Sequence, residues 1–181
     1  MLALRSHKEM LPVLMDPAAA GPDVHYYMIR GGSEKKNITV WESGKVGDEY
    51  IKTFGHYHVS DFVETYEILA GEGIIMLQSA PVDNEVEWVK AIFVKPGDQV
   101  SIPKRAGHLG VNTGKSWLVT LDDSPVNFKK RNEASMPEHA DYQLVRKMHG
   151  FAYYIVEKNG EPFFIKNPNY KNHPDVIIEK A

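Results

Sequence analysis

Three histidines and one glutamate carry the chemistry that can be read from this sequence. His56 and His58 are two positions apart, and alternate residues of a strand point to the same side, so both imidazoles can face one point. Glu64 opens the next apolar run, and His108 belongs to a later one. Three imidazoles and one carboxylate suit a divalent transition ion and leave coordination positions open for substrate. The pattern predicts that these four residues hold one divalent metal ion per chain.

Each of these residues also has an ordinary structural interpretation. A pair of histidines two apart is weak on its own, a glutamate before an apolar run is usually a solvated strand end, and an isolated histidine is more often at the surface. The sequence contains no cysteine, which excludes thiolate ligands and disulfide bonds. Any metal must therefore be held by histidine, aspartate or glutamate, and the combination of all four residues favours the metal site.

Composition limits the class of protein. The chain has 181 residues, 43% of them hydrophobic and 25% charged, which is enough for one domain with a substantial core. The net charge is -3 with no basic block, so nucleic acid is not expected as a partner. No apolar run approaches the roughly 18–20 residues of a membrane span, and the first residues lack the apolar core of a signal peptide. We expect a cytoplasmic protein with no membrane partner.

Short apolar runs separated by turns predict an all-β fold, either a barrel or a sandwich. The predicted strands are Val24–Ile29, Asn37–Trp41, Tyr50–His58, two strands within Val63–Gln78, Val86–Val94, Gln99–Ile102, His108–Asn112 and Trp117–Leu121. A hairpin with an Asn-Gly turn is predicted over residues 151–166. Residues 1–23 form an expected N-terminal extension packing on the barrel, and residues 24–181 a single domain.

Helices are expected only at the periphery. Leu2 to Leu14 can hold a short helix that Pro12 limits. Ser135 suits an N-cap position and Gly150 a helix end, with an apolar face between them, so a helix is predicted there. The tail shows no strong pattern apart from Val176–Ile178.

Two motifs resemble those of the cupin family, a small jelly-roll β-barrel that holds a metal ion in its mouth. The matching residues of the first motif are Gly55, His56, His58, Glu64 and Gly71, and those of the second are Gly97, Pro103, His108 and Asn112. The gap between His58 and Glu64 is longer than the common cupin gap, and Arg105 stands where a glycine is usual.

Flanking residues are more specific, and resemble the cupin-type glucose-6-phosphate isomerases best known from archaea. The matching segments are Thr39-Val40 with Gly44 to Gly47, Thr53 to His58, Glu64 to Gly73, Met76 to Gln78, Pro96-Gly97, Asp141-Tyr142, Tyr154 to Gly160 and Asn167-Pro168. The resemblance implies a metal-dependent aldose–ketose isomerase that interconverts glucose 6-phosphate and fructose 6-phosphate in glycolysis and gluconeogenesis. It also implies Fe²⁺ as the ion, with Mn²⁺, Ni²⁺ or Zn²⁺ as substitutes, and a homodimer, with the strands around Val24 to Arg30 as the expected interface.

The same resemblance assigns roles position by position. The metal ligands are His56, His58, Glu64 and His108; the catalytic residues are Glu64, Tyr66 and His139; and the substrate-binding residues are Thr39, Thr53, Gly55 and Tyr142. A family histidine falls at Ala140, one place after His139, and a phosphate-side tyrosine falls at Ser124. This chain also has about a dozen additional residues between Pro125 and His139, and Lys104-Arg105 replaces an apolar and aromatic pair.

The chemistry of the residues leaves two routes open. A metal ion facing the sugar oxygens stabilises the charge that develops as a C–H bond breaks. A route through a cis-enediol also needs a base, for which Glu64 is the best candidate, whereas a hydride shift needs none. Tyr66 can donate a hydrogen bond to substrate or simply pack inside the barrel. Lys52, Lys104 and Arg105 can bind anions near the mouth or be solvated surface residues.

Three other functions are compatible with the sequence. One is a different sugar-phosphate isomerase or epimerase of the cupin type. Another is a metal-dependent cupin dioxygenase or decarboxylase, which the same ligands would serve but which leaves Thr39 and Thr53 without a role. The last is a non-catalytic sugar-binding cupin, which the changes at Ala140 and Ser124 keep open.

Overall fold

The computed structural model describes residues 1–31, 36–59, 61–125 and 140–181, and β-strands dominate it. The strands are β1 (Leu2–Ser6), β2 (Val24–Ile29), β3 (Asn37–Trp41), β4 (Lys45–Val46), β5 (Glu49–Tyr50), β6 (His56–His58), β7 (Glu64–Ala70), β8 (Gly73–Gln78), β9 (Val89–Val94), β10 (Gln99–Ile102), β11 (Gly107–Val111), β12 (Leu118–Asp122), β13 (Ala140–Asp141), β14 (Tyr153–Lys158), β15 (Glu161–Lys166) and β16 (Val176–Lys180). The described helices are α1 (His7–Met10), a 3-10 turn (Leu11–Val13) and α2 (Gln143–Lys147). No helix in these ranges is long and apolar enough to cross a membrane.

Two six-stranded sheets form the body of the molecule in the described ranges. One has the order β1-β2-β3-β12-β7-β10, and the other the order β13-β6-β11-β8-β9-β16. A smaller sheet has the order β15-β14-β5-β4. In β3 and β12 buried and half-buried residues alternate, because one face of each strand is turned to the interior. The predicted all-β cupin barrel is confirmed.

The strand predictions hold where a run is bounded by turns. β2 and β3 have the predicted bounds, and β7 and β8 flank the predicted glycine turn. The prediction of one strand over Tyr50–His58 is wrong, because β5 ends at Tyr50 and β6 begins at His56. Gly55 lies between them with a φ of +78°, a left-handed conformation that ends regular strand geometry.

The short helix predicted within Leu2 to Leu14 is confirmed only from His7 onward. Leu2–Ser6 forms β1, which pairs antiparallel with β2. The backbone groups of β2 offer long-range hydrogen bonds that helix propensity in a short segment cannot match. The helical part consists of α1 and the 3-10 turn at Leu11–Val13. The Ser6 side chain caps α1, with a reciprocal bond to Glu9.

The C-terminal part differs from the prediction in two places. Part of the helix predicted from Ser135 to Gly150 falls on residues 126–139, outside the described ranges. Ala140–Asp141 forms a strand instead, with Ala140 opposite His58 in β6, so helix α2 begins only at Gln143. The tail, which showed little pattern, forms β16 in parallel pairing with β9.

Candidate active site

The four predicted ligands converge between the two large sheets. His56 and His58 lie on β6, and His108 on the adjacent β11, where it is the register partner of His56. Glu64 opens β7 in the opposite sheet. One candidate ligand atom from each of the four residues lies within 4.8 Å of the others. The fold therefore places the four side chains around one point.

Glu64 is the centre of this group. Its Oε2 lies 3.0 Å from His58 Nε2 and 3.2 Å from His108 Nε2. All three side chains are buried, and the His58 ring stacks on Phe62 at a centroid distance of 4.2 Å. A compact set of imidazole nitrogens and one carboxylate oxygen is a donor set for a divalent transition ion. The residues present fit the metal site that the sequence predicts.

The electrostatics of Glu64 agree with a role beside a cation. Burial, reinforced by the nearby Asp122 carboxylate, raises the pKa of Glu64 well above its ordinary value. An uncompensated buried carboxylate is costly, and a divalent cation at the same point would favour the ionised form. The site is thus arranged to gain from a positive charge.

Tyr66 lies two residues beyond Glu64 on β7, and its ring meets the His108 ring edge-on at 5.5 Å. Burial and the Glu64 carboxylate raise the pKa of Tyr66 well above its ordinary value. The phenol therefore keeps its proton and acts as a hydrogen-bond donor at neutral pH.

A cavity lies directly beside the candidate ligands and contains most of the predicted substrate residues. Its lining residues are Tyr26, Met28, Arg30, Thr39, Trp41, Thr53, Gly55, His56, Tyr66, His108 and Tyr142. Thr39, Thr53, Gly55 and Tyr142, which were predicted from distant positions in the sequence, share this wall. The structure thus brings the predicted binding residues next to the predicted metal ligands.

Thr53 and Gly55 are fixed by the backbone of β11. The Gly110 N–H donates to Thr53 Oγ1 at 3.0 Å, so this hydroxyl still has its own proton to donate. A Cβ atom on Gly55 would lie 3.1 Å from Leu109 Cβ and 3.3 Å from the His108 carbonyl oxygen. Glycine is required there by both its positive φ and this close approach.

Tyr142 precedes α2 and covers one side of the site. Its ring lies 5.3 Å from the His56 ring and 5.7 Å from the Phe54 ring. Burial raises its pKa above the ordinary tyrosine value, so its hydroxyl stays protonated. Ala140 pairs with β6 and carries no polar group toward the site, while His139, the predicted catalytic histidine, falls outside the described residues.

The sequence interpretation missed two arginines. Arg30 lines the cavity, and its Nη1 donates to Asp122 Oδ2 at 3.3 Å. Arg5 is buried, donates to the Tyr26 hydroxyl at 3.2 Å and lies over the Phe54 ring at 5.5 Å. The alternation in β2 could have indicated Arg30, because Tyr26 and Met28 point inward and Arg30 continues the series.

Lys52, Lys104 and Arg105, which were considered as anion-binding residues near the mouth, do not line the cavity. Lys52 is buried and pairs with Glu49, while its Nζ donates to the Val13 carbonyl oxygen at 2.7 Å. It anchors the N-terminal segment and does not line the cavity. Lys104 is exposed, and Arg105 pairs with Asp61 at the surface, where its side chain is 72% exposed.

A barrel that gathers three imidazoles and one carboxylate beside a polar cavity defines a metal-site cupin. The sequence model of glucose-6-phosphate isomerase matches residues 26–172, and the chain belongs to that family.

Individual relatives agree with this assignment. A glucose-6-phosphate isomerase of Pyrococcus horikoshii is 35% identical over 135 residues, which cover 74% of this chain and 63% of the relative. A glucose-6-phosphate isomerase of Thermococcus gammatolerans is 32% identical over 142 residues, covering 78% of this chain and 67% of the relative. The chain thus spans about two thirds of the length of the curated relatives it matches.

Among solved structures, oxalate decarboxylase of Lactobacillus farciminis gives a TM-score of 0.44 at 16% identity, covering 57% of this chain and 29% of that one.

Proposed function

We propose that this chain is a metal-dependent aldose–ketose isomerase that interconverts glucose 6-phosphate and fructose 6-phosphate. The observation that carries the proposal is the position of the metal ligands beside a cavity lined by Thr39, Thr53 and Tyr142. Family membership supports the proposal, since the relatives are named glucose-6-phosphate isomerases.

We assign the metal ion to His56, His58, Glu64 and His108. When bound, it supplies Lewis acidity toward the oxygens of the reacting carbons. We take iron(II) as the ion by the family resemblance, with manganese, nickel or zinc as substitutes, because affinity order alone does not select the ion in a cell.

The protein's own groups then bind and orient the sugar. Tyr66 and Tyr142, both protonated, donate hydrogen bonds to substrate oxygens. The hydroxyls of Thr39 and Thr53 and the Gly55 N–H donate to the phosphate group, which does not change during the reaction. These donors fix the open-chain sugar with its reacting end toward Glu64.

The role of Glu64 depends on the reaction route. In the proton-transfer route its carboxylate takes a proton from one reacting carbon and returns it to the other. In the hydride-shift route Glu64 acts only as a ligand. Reaction in deuterated water distinguishes the two, because proton transfer through a carboxylate introduces solvent deuterium into the product and a hydride shift does not.

The decisive experiment is turnover of fructose 6-phosphate by metal-reloaded protein, with and without a chelator. Turnover that the chelator abolishes supports the isomerase, and binding of the sugar without turnover supports the sugar-binding alternative. Oxygen consumption with small carboxylic acids tests the dioxygenase alternative. His139 stays a predicted catalytic residue, to be examined through the same assay.

We further propose a homodimer. The interface expected around Val24 to Arg30 stays a prediction; β2 is paired on both sides, with β1 and with β3, so pairing between sheet edges would use β1 instead. One of the two edge strands of that sheet is β1, where Leu2 and Leu4 are 68% and 45% exposed. Pairing or covering this edge would protect both its backbone groups and its leucines. Residues 1–23 as an extension, 24–181 as one domain and the cytoplasmic location stay predictions.

A further inference from the structure

Arg30 is a cationic group of the cavity to which neither the family pattern nor the sequence assigns a role. We propose that Arg30 binds the phosphate group of the substrate and makes this chain selective for phosphorylated sugars. The inference rests on the proposed function for the identity of the sugar, but not for the anion site itself.

The backbone explains why Arg30 faces the cavity. Tyr26 and Met28 are inward-facing residues of β2, and Arg30 lies two positions farther along the same alternation. Met28 is the register partner of Thr39 on β3. Two residues of a strand span about 6.8 Å, so an extended arginine can reach the neighbourhood of the Thr39 hydroxyl. All of these side chains line the same cavity.

Asp122 fixes the guanidinium in place. Its Oδ2 accepts from Arg30 Nη1 at 3.3 Å, and its Oδ1 accepts from Asn37 Nδ2 at 2.7 Å and Ser124 Oγ at 2.6 Å. Asn37 and Ser124 hold this carboxylate in place on a packed strand, and the carboxylate in turn restrains the rotamer of Arg30. A planar guanidinium positioned in advance loses little entropy when it binds the oxygens of a phosphate.

The charge of the cavity favours such a group, because a divalent ion at the proposed metal site would offset the carboxylates but not the added phosphate as well. Glu64 and Asp122 place two carboxylates at this end of the barrel, and a sugar phosphate adds about two further negative charges. The hydroxyls of Thr39 and Thr53 donate hydrogen bonds but carry no charge. Arg30 is the arginine on the cavity wall, and it can offset the phosphate charge where the threonines cannot.

Trp41 provides a separate indication that a ligand with hydrogen-bond acceptors binds here. It lies two residues after Thr39 on β3 and lines the same cavity. Its buried Nε1–H has no hydrogen-bond partner among the described residues. Buried donors are normally satisfied, so this N–H is available to an acceptor of a molecule bound in the cavity.

The rival explanation is that Arg30 only joins β2 to β12 through its ion pair with Asp122. The two explanations differ in what Arg30→Met and Arg30→Lys do to binding. If Arg30 binds phosphate, Arg30→Met raises KM for fructose 6-phosphate by about ten- to a hundredfold, with a smaller change in kcat, and Arg30→Lys falls between. If it is structural, both variants lower the melting temperature and leave phosphate affinity unchanged.

The experiment measures the affinity of inorganic phosphate by calorimetry beside the kinetics and the melting temperature. Arg105→Met is the matched control, because it removes an arginine paired with a carboxylate at the surface and should change phosphate affinity less than twofold. Weakened phosphate binding in Arg30→Met, partly restored in Arg30→Lys, supports the proposal. Equal affinity in the parent and Arg30→Met, or no phosphate binding by the parent, overturns it. Arg30-dependent phosphate binding without turnover of fructose 6-phosphate would instead reject the isomerase and keep the anion site.

Discussion

His58 Nε2 lies 3.0 Å from Glu64 Oε2, although the two residues approach from opposite sheets of the barrel. His56 and His108 are neighbours on β6 and β11, and His58 also lies on β6. The contact with His58 therefore brings Glu64, the fourth candidate ligand, next to the three histidines. A metal ion bound here therefore links the two sheets as well as serving the reaction.

The double variant His56→Ala/His108→Ala should lose the metal ion, because only one imidazole and one carboxylate would remain. Metal content per chain, measured by mass spectrometry after dialysis, should fall from about one to near zero, since most stable sites use at least three protein ligands. His173→Ala, which removes a histidine outside the site, serves as the control. Unchanged metal affinity in the double variant would show that the ion is bound elsewhere.

Thr53→Ala and Glu64→Gln should have opposite kinetic effects on fructose 6-phosphate. Loss of one hydrogen bond to a charged oxygen costs about 1.5–3 kcal/mol, so Thr53→Ala should raise KM roughly ten- to a hundredfold. Glu64→Gln should mainly lower kcat, because its carboxylate lies among the metal ligands.

Thr53→Ser is the matched control, since it keeps the hydroxyl that accepts from the Gly110 N–H. It should stay close to the parent in KM. The phosphate role of Thr53 is contradicted if Thr53→Ala weakens fructose 6-phosphate and unphosphorylated fructose by the same factor.

Lys52→Met should destabilise the fold rather than alter substrate binding. It would leave Glu49 buried without its cation, and removing one partner of a buried pair costs about 3–5 kcal/mol. Lys45→Met removes a half-exposed pair with Glu157 and should change the free energy of unfolding by less than about 1 kcal/mol. Denaturant unfolding measures both; equal effects would mean that burial of the Lys52 pair has no energetic consequence.

Stability should fall as pH drops from about 6.5 to about 4, through His25. Burial first, then the neighbouring His7 and Lys52 charges, lower its pKa from 6.5 to about 4. The unfolded chain therefore binds a proton in this window that the folded chain does not, so stability is greater above the window and decreases within it. The contribution is on the order of 3 kcal/mol at most.

His25→Gln tests this assignment. The difference in free energy of unfolding between pH 7 and pH 4.5 should be smaller in the variant than in the parent, whose acidic groups are otherwise the same. His7 Nδ1 lies 2.9 Å from His25 Nε2, so the variant also loses a contact that holds α1. Loss of that contact lowers the free energy of unfolding equally at every pH, whereas loss of the His25 titration makes it depend less steeply on pH. If the free energies of unfolding of parent and variant run parallel between pH 7 and pH 4.5, His25 is not the titrating group.

The proposed dimer should dissociate when the β1 edge becomes charged. Leu2→Lys/Leu4→Lys replaces two exposed leucines with like charges on the open edge, which disfavours strand pairing between copies. Light scattering at micromolar concentration should shift from dimer to monomer mass. Ile177→Lys/Ile178→Lys, on the exposed part of β16, is a control that should leave the mass unchanged. A parent protein that is already monomeric contradicts the proposal.

The sequence by itself determined the strands that are bounded by turns and the four residues of the candidate metal site. Apolar runs with period two specify β2 and β3 locally, because alternation is a property of neighbouring residues. His56 and His58 are two positions apart on one strand, so their common direction follows from strand geometry alone. Glu64 and His108 could be added because the two motifs have recognisable spacing.

Only the tertiary structure decided which distant groups meet and what the cations do. Lys52 could not be separated from a surface lysine, because its partner Val13 and its burial depend on how the N-terminal segment packs. Leu2–Ser6 is a strand because β2 offers it an unpaired edge, which no local pattern records. The alternation of β2 gives the direction of Arg30, but the group that holds its guanidinium, Asp122, lies 92 positions away and is brought beside it by β12. Such pairings come from sheet order, and residue spacing carries no information about that order.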